Sequence, residues 1–184
     1  MIEILTLIAS DWKRYTGLHK KMNPLLFLVV LFRNPGMHFS VLYRLEFYLF
    51  NSKNLILKII SAIFYPFYFI ITYYIFDIDI SPRVKIGSGL YIHNKGIIFT
   101  DLVVAGKNLT LIAPLTLGVK GWGYDLSYAP TLGNNVVVYT GARIIGKVKI
   151  GNNVSIGANA VVIKNIPNNC IVGGIPAKIL RRLK

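Results

Sequence analysis

The sequence predicts a mainly β chain, in which an apolar α-helical region over residues 1–76 precedes a parallel β-helix over residues 77–184. Three observations support this prediction. Long apolar runs fill the first part, aliphatic residues recur every six positions in the second part, and a Gly-Asn-Asn-Val motif repeats 18 residues apart. A chain of 184 residues is long enough to bury a substantial core.

The composition is that of a folded, basic protein. Hydrophobic residues make up 54% of the chain and charged residues 15%, which excludes a disordered or collagen-like protein. The formal net charge of +14 favours a polyanionic partner, such as anionic lipid, nucleic acid or a phosphate-rich cofactor. Cys170 is the single cysteine, so we predict neither a disulfide framework nor a metal site. The N-terminus lacks the features of a signal peptide, which predicts a cytoplasmic protein.

Two proline motifs divide the apolar region. They are Asn23-Pro24 and Asn34-Pro35-Gly36. The residue before a proline avoids the helical conformation, and proline is favoured in the first turn of a helix. Helices are therefore expected to begin near residues 24 and 37.

The run from Ile59 to Phe76 has 18 residues and no charge, which is the length at which a transmembrane helix must be considered. Pro66 lies in its middle, and its tyrosines prefer the depth of the lipid headgroups. We therefore favour a helix in peripheral contact with an anionic membrane. A helix that spans the bilayer and a face buried against another subunit remain alternatives. Cations flank the apolar segments, as a lipid surface requires: Lys13, Arg14, Lys20, Lys21, Lys53 and Lys58.

Residues 77–184 contain a six-residue repeat. Its inward positions are predicted at Ile80, Ile86, Ile92, Ile98, Ala105, Leu111, Leu117, Leu132, Val138, Ile144, Ile150, Ile156 and Val162, with one extra residue between Ile98 and Ala105. A period of six fits very short parallel strands joined by tight corners, with each coil stacked on the previous one. The 18-residue spacing of the motifs at Gly133 and Gly151 equals three hexads, or one triangular coil. Gly and Asn suit corners that need a positive φ.

Four motifs in this region resemble the left-handed β-helix hexapeptide acyltransferases, in particular the branch related to serine O-acetyltransferases. They are Asp79-Ile80-Ser81-Pro82, Leu90-Tyr91-Ile92-His93, Thr116-Leu117-Gly118 and Gly173-Gly174-Ile175-Pro176-Ala177-Lys178. The resemblance covers about residues 77–180 and implies the handedness of the coil. It also implies acetyl-CoA as donor, a homotrimer or a multiple of one, and an active site between coils of two subunits.

Two departures from serine acetyltransferases affect the expected acceptor. A single His93 followed by Asn94 stands in place of an Asp-His pair, and Tyr128-Ala129-Pro130 stands in place of Arg-His-Pro. The residues expected to hold the serine carboxylate are therefore missing. The short apolar N-terminus is more similar to acetyltransferases of capsule and colanic-acid (exopolysaccharide) synthesis. That resemblance implies a hydroxyl of a cell-surface polysaccharide, or of its lipid-linked precursor, as acceptor.

His93 is the candidate general base, because a neutral imidazole with a pKa near ~6.5 accepts a proton at neutral pH. Without the motif around it, a structural histidine would be the default interpretation. Asp79 lies 14 residues earlier, nearly one coil, and is the candidate partner that orients the ring. Asp77 is the rival for this role.

The remaining candidates bind the two substrates. A backbone N–H beside Gly118 would stabilise the oxyanion, because glycine allows close approach. The expected donor-binding positions are Gly118, Thr140, Gly141, Ala158, Asn159, Lys164, Pro176 and Lys178. An excursion loop at 119–129 interrupts the hexads, and its aromatic rings suit a sugar face. The expected acceptor-binding positions are Asn94, Trp122, Tyr124 and Tyr128.

The sequence therefore predicts an acetyl-CoA-dependent O-acetyltransferase of a surface glycan, peripheral on the inner face of a bacterial plasma membrane. A serine O-acetyltransferase of cysteine biosynthesis is the first alternative. A non-catalytic β-helix scaffold is the second alternative. Nucleic acid is not expected as a partner, since no element interleaves aromatic and basic residues.

Overall fold

The computed structural model describes residues 2–17, 29–31, 33–119 and 129–183. Its helices are α1 (Ile2–Thr16), α2 (Pro35–Phe50) and α3 (Leu55–Phe69), and a π-helical turn at Ile70–Ile75 continues α3. Helix α2 starts two residues before the predicted position, with Pro35 in its first turn. The helix start expected near residue 24 lies outside the described residues.

Within the described residues, fifteen strands follow the helices. They are β1 (Ile78–Ile80), β2 (Lys85–Ile86), β3 (Tyr91–His93), β4 (Ile97–Phe99), β5 (Val104–Ala105), β6 (Thr110–Ile112), β7 (Leu115–Gly118), β8 (Thr131–Leu132), β9 (Val137–Val138), β10 (Arg143–Ile145), β11 (Lys149–Ile150), β12 (Val154–Ile156), β13 (Val161–Val162), β14 (Cys170–Gly173) and β15 (Lys178–Arg182). Most have two or three residues, as a hexad repeat with corners requires.

The strands form three parallel faces. The first face has the order β1-β4-β7-β10-β13, the second β2-β5-β8-β11, and the third β3-β6-β9-β12-β14. Successive strands move from one face to the next, so three strands make one coil. Strand β15 pairs antiparallel with β14 and ends the third face. The prediction of a mainly β parallel solenoid preceded by helices is confirmed.

Three stacks of corners run along the solenoid. Edge 1 joins the first face to the second at 81–84, 100–103, 146–148 and 163–165, and residues 119 and 129–130 are the described part of the segment between β7 and β8. Edge 2 joins the second face to the third at 87–90, 106–109, 133–136, 151–153 and 167–169. Edge 3 joins the third face to the first at 94–96, 113–114, 139–142 and 157–160. The link between β14 and β15 at 174–177 stacks on this edge, where Ala177 N donates to Val161 O at 2.8 Å.

All predicted inward positions are buried except Ile98, which is 51% exposed. Its neighbours Ile97 and Phe99 are buried instead, and Phe99 lies between Ile80 and Leu117 in the first-face ladder. The inward assignment of Ile98 is therefore wrong. The extra residue belongs to the corner at 94–96, directly after His93, and not to the segment after Ile98.

Edge 2 confirms the expected role of asparagine. Asn135 and Asn153 have positive φ of 56° and 54°, and Asn135 Nδ2 donates to Asn153 Oδ1 at 2.8 Å. The glycines of the same motifs are required for a different reason than the predicted positive φ. A Cβ on Gly133 would lie 2.8 Å from the carbonyl carbon of Gly151, so the coils approach too closely there for any side chain.

The helices close the first end of the solenoid. Phe39, Tyr43 and Tyr68 belong to the same hydrophobic core as the coil interior. Tyr43 donates to the carbonyl oxygen of Val84 at 2.6 Å, and Tyr68 to that of Ile80 at 2.6 Å. Each hydroxyl thus satisfies a carbonyl of the first coil, which would otherwise lie beneath apolar helix surface. The helices and the coils share one core.

Candidate active site

His93 is exposed at the end of β3, where edge 3 begins. It lines a cavity of about 490 Å³ between this corner and the start of α2. The lining residues are Arg33, Asn34, Pro35, Gly36, Tyr91, Ile92, His93, Asn94 and Lys95. The backbone beneath the imidazole is fixed, since Ala113 N donates to His93 O at 3.0 Å. An exposed imidazole at the mouth of a cavity can reach a substrate hydroxyl.

The wall of this cavity is held together by α1 and α2. Tyr15 OH accepts from Ile92 N at 2.9 Å and donates to Ile92 O at 3.3 Å. Gly36 packs so closely that a Cβ there would collide with Ile92 O and lie 2.7 Å from Tyr15 OH. The second helix therefore reaches the strand that carries His93 only because residue 36 is glycine.

Two cations share the cavity with His93, and sequence reasoning did not identify either. Arg33 precedes α2 and is exposed, while Lys95 lies in the corner that follows His93. Lys95 Nζ donates to the carbonyl oxygen of Ile75 at 2.7 Å, which ties this corner to the end of the π-helical turn. The available signal for Arg33 was its place directly before the Asn34-Pro35-Gly36 motif, which predicts the start of a helix. The cavity suits an anionic substrate.

Asp79 does not line the cavity of His93. It lines another cavity of about 320 Å³ on the first face, with Arg83 and Asp101 among its neighbours. Burial, and then the negative charge of Asp101, raises the pKa of Asp79 above its ordinary value. Its role as the partner of His93 stays a prediction, and this placement lends it no support.

Asp77 is better placed. Its carbonyl oxygen accepts from Gly96 N at 2.8 Å and from Ile97 N at 3.1 Å, so it lies at the corner that His93 opens. Its φ of 53° brings the chain sharply into β1. Asp77 lines a cavity of about 220 Å³ with Gly96, Thr116 and Gly141, which is also separate from the cavity of His93. Between the two candidate partners, the geometry favours Asp77.

Edge 3 brings most of the predicted donor-binding positions into one line with His93. The corners with Thr140 and Gly141, then Ala158 and Asn159, and finally Pro176 stack in successive coils along it. Gly141 N donates to Pro114 O at 2.6 Å, and Asn159 N donates to Thr140 O at 2.9 Å. Lys178 follows at the start of β15. An extended pantetheine chain would find small side chains along this edge.

Gly118 and Lys164 lie elsewhere. Gly118 ends β7 beside edge 1 and Lys164 lies on edge 1, both across the first face from His93, and Gly118 O accepts from Gly146 N at 2.8 Å. A single chain thus does not bring these two residues to the candidate base.

The predicted acceptor residues are only partly described. Asn94 lines the His93 cavity with a φ of 72°. Trp122, Tyr124 and Tyr128 of the excursion loop lie outside the described residues. The structure therefore gives no placement for an aromatic platform.

Comparison with known proteins places the chain in a family. The family model described as bacterial transferase hexapeptide (six repeats) matches residues 129–164. A serine acetyltransferase of Buchnera aphidicola subsp. Schizaphis graminum is 34% identical over 100% of this chain and 67% of that protein. One of Helicobacter pylori is 34% identical over 83% of this chain and 85% of its own length. The chain spans 63% and 67% of the two Buchnera relatives it matches, about two thirds.

Solved structures agree. The serine acetyltransferase of Neisseria gonorrhoeae superposes with a TM-score of 0.82 at 26% identity, covering 100% of this chain and 68% of that chain. Another solved serine acetyltransferase, a complex with CoA, has a TM-score of 0.77 at 26% identity and covers 97% of this chain and 70% of that chain. These findings confirm the predicted left-handed hexapeptide-repeat acyltransferase fold and enzyme class, and the CoA complex supports the predicted donor.

The same findings overturn the predicted acceptor. A surface glycan was inferred from missing loop motifs and from a short apolar N-terminus. The identity of the relatives covers the helices as well as the coils, and those relatives are serine acetyltransferases. The polysaccharide assignment was therefore wrong, and the likeness to capsule enzymes is not supported. By identity along its length and by superposition of its fold, the chain belongs to the serine acetyltransferase family.

Proposed function

We propose that this protein is an acetyl-CoA-dependent O-acetyltransferase with L-serine as acceptor and His93 as general base. One observation carries the proposal: the cavity at His93 is also lined by Arg33 and Lys95. L-Serine offers a hydroxyl to a base and a carboxylate to a cation. A related structure from Neisseria gonorrhoeae is a serine acetyltransferase in complex with serine, which supports this choice.

Each charged group of the cavity has a task in this reaction. The planar guanidinium of Arg33 suits a carboxylate, because its two N–H groups match the two oxygens. Lys95, two residues after His93 in the sequence, adds a second positive charge to the cavity. Holding the carboxylate fixes the serine hydroxyl near Nε2 or Nδ1 of His93 and reduces the entropy lost in the reaction.

The proton follows a closed path. As the serine oxygen forms its bond with the thioester carbonyl carbon, the hydroxyl proton passes to the His93 imidazole. As the C–S bond breaks, the imidazolium returns that proton to the departing sulfur. The products are O-acetylserine and CoA, and His93 is neutral again. Asp77, whose backbone carbonyl lies at the same corner, is our candidate for the carboxylate that stabilises the imidazolium.

The positions of edges 1 and 3 support a path for the donor and a mode of assembly. Acetyl-CoA would extend along edge 3, past Gly141 and Asn159, with its phosphates toward Lys178. Gly118 lies at the end of β7 beside edge 1 and Lys164 lies on edge 1, so they reach a His93 only if edge 1 of one chain lies against edge 3 of its neighbour. A homotrimer closed by this contact would complete the site three times.

The test is thiol release from acetyl-CoA by the purified full chain. L-Serine is compared with ethanolamine, which has the hydroxyl but no carboxylate. We expect release with L-serine only, reduced by about 10²- to 10⁴-fold in His93→Ala. The matched control is His38→Gln, because His38 stacks on Phe76 and does not line the cavity.

Equal release with ethanolamine would contradict the role of the carboxylate. Undiminished release in His93→Ala would contradict the assigned base. Binding of acetyl-CoA without any release would favour the scaffold alternative.

A further inference from the structure

One side of α3 and the π-helical turn is a continuous apolar surface. Its exposed large side chains are Leu55, Ile56, Ile59, Ile60, Ile63, Tyr65, Phe67, Phe69, Ile70, Tyr73, Tyr74 and Ile75. The segment Leu55–Ile75 is long and apolar enough to cross a membrane, and 17% of its most apolar window is buried in the chain. Lys58 is its single charged residue. An exposed apolar patch of this extent is unusual for a protein surrounded only by water.

The opposite side of the same segment is attached to the rest of the chain along its whole length. Ser61 donates to Glu46 Oε1 at 2.6 Å near the start, and Tyr68 donates to Ile80 O at 2.6 Å in the middle. Lys95 Nζ donates to Ile75 O at 2.7 Å at the end. A spanning orientation would carry these partners, with the charges of Glu46 and Lys95, into the hydrocarbon. The attachment therefore excludes a span and leaves a helix that lies along the surface.

Cations surround this apolar surface. Lys53 and Lys58 are exposed at its start, Lys95 at its end, and Arg83 beside it, where its guanidinium carbon lies 5.9 Å from the centre of the Phe50 ring. The acids near this side are Glu46, Asp77, Asp79 and Asp101, and Asp77 is exposed two residues after the end of the segment. Asp101 pairs with Arg83 at 3.1 Å, and Glu46 is fully buried behind α3. An apolar strip with a cationic rim complements an anionic lipid surface.

A second copy of the chain fits this surface less well. Two such faces packed together would bring their lysine rims close to each other and bury the tyrosine hydroxyls. Tyr65, Tyr73 and Tyr74 are instead suited to the headgroup depth of a bilayer, where the ring is in apolar surroundings and the hydroxyl is hydrated.

We propose that the exposed face of residues 55–75 binds the surface of an anionic lipid bilayer, with the segment parallel to the membrane plane. This inference goes beyond the proposed function and does not depend on it. Lys95 both contacts Ile75 and lines the His93 cavity, so the bound membrane would lie next to the mouth of the active site.

The experiment is co-sedimentation of the full chain with vesicles of phosphatidylcholine alone and of phosphatidylcholine with phosphatidylserine. We expect binding to the anionic vesicles, which weakens as salt rises from about 0.1 M to about 0.5 M. The variant Ile63→Ser/Phe67→Ser/Tyr74→Ser should lower the vesicle partition coefficient by at least about tenfold, since it removes three exposed apolar side chains that would enter the bilayer. The control Leu5→Ser/Leu180→Ser changes two similarly exposed apolar residues outside this segment and should bind as the unchanged chain does.

Three results would overturn the proposal. They are equal binding by both variants and the unchanged chain, retention of the protein in the membrane after an alkaline carbonate wash, and loss of self-association instead of vesicle binding in the triple variant. Serine-dependent thiol release without vesicles should be the same in all three proteins. That readout separates a failure of membrane binding from a failure of the proposed catalytic function.

Discussion

Arg44 Nε donates to Asp11 Oδ2 at 2.9 Å, in an ion pair whose side chains are 1% and 0% exposed. Both partners also reach the first coil. Asp11 Oδ1 accepts from Gly89 N at 2.9 Å and Leu90 N at 2.7 Å, and Arg44 donates to Ile86 O and Gly87 O at 2.6 Å. The pair thus joins α1 and α2 to edge 2 and satisfies backbone groups there that are shielded from water.

Loss of Arg44 should therefore destabilise the whole chain. We expect Arg44→Met to lower the free energy of unfolding by about 3–5 kcal/mol, because the Asp11 carboxylate stays buried without its partner. The control is Arg83→Met, which breaks the exposed pair with Asp101 and should cost less than about 1 kcal/mol. Urea unfolding followed by circular dichroism measures both. Similar losses in the two variants would contradict the assigned role of burial.

The asparagine ladder of edge 2 predicts a second stability effect. Asn153 has a φ of 54°, accepts from Asn135 Nδ2 at 2.8 Å and donates to Asn169 Oδ1 at 2.7 Å. Asn153→Ala should cost about 1–3 kcal/mol, since it loses both bonds and places an alanine at positive φ. Asn153→Gly keeps the backbone relaxed and should cost less. Equal losses of unfolding free energy in the two variants, measured by urea unfolding, would show that the side-chain hydrogen bonds matter and the positive φ does not.

The coil interior and its corners were predictable because each depends on short-range pattern. Residues such as Leu111 and Ile156 repeat at a fixed spacing, and Asn135 and Asn153 repeat one coil apart, so no long-range contact is needed to place them. Ile98 was misplaced for the same reason. A single extra residue can fit any corner by spacing alone, and only the pairing of Ile97 with Leu115 shows that it lies at 94–96.

The acceptor site could not be predicted because it joins distant parts of the chain. Arg33 and His93 are 60 residues apart in sequence, and only the packing of Gly36 against Ile92 brings the start of α2 to the end of β3. The prediction of a glycan rested on residues missing from the His93 turn and from the excursion loop, and on the short apolar N-terminus. A cation that another element supplies, such as Arg33, cannot be recognised from the sequence of that loop.

Asp79 gives a prediction about pH and stability. Burial and the Asp101 charge raise its pKa above 3.8, so the folded chain holds this proton more tightly than the unfolded chain. Its contribution to stability is therefore present below pH 3.8 and is lost as the pH rises through the raised pKa. Asp79→Asn removes the titrating carboxyl group, so stability is no longer lost as the pH rises. The variant should therefore be more stable than the unchanged chain at pH 7 and should approach its stability near pH 3.

The measurement is urea unfolding of both proteins from about pH 3 to pH 7. Ser81→Ala, in the same cavity, changes no titrating group and should differ from the unchanged chain by a constant amount. A stability difference for Asp79→Asn that does not vary with pH would show that the Asp79 carboxyl does not titrate differently on folding.

Arg33 gives the sharpest prediction for the reaction. If its guanidinium holds the carboxylate of L-serine, Arg33→Gln removes a charge-assisted contact made equally in the ground state and the transition state. The KM for L-serine should then rise by about 10-fold or more, with kcat changed less, since a hydrogen bond to a charged group contributes about 1.5–3 kcal/mol. Arg33→Lys should recover part of this loss by restoring the charge without the planar fork.

The control is Arg83→Gln, because Arg83 is an exposed arginine that lines the Asp79 cavity and not that of His93. Its KM for L-serine should match that of the unchanged chain. The KM for acetyl-CoA should stay constant in Arg33→Gln, since the proposed donor site extends along edge 3, away from α2. A rise in both Michaelis constants would mean that Arg33 supports the cavity as a whole, and an unchanged KM for L-serine would place the carboxylate elsewhere.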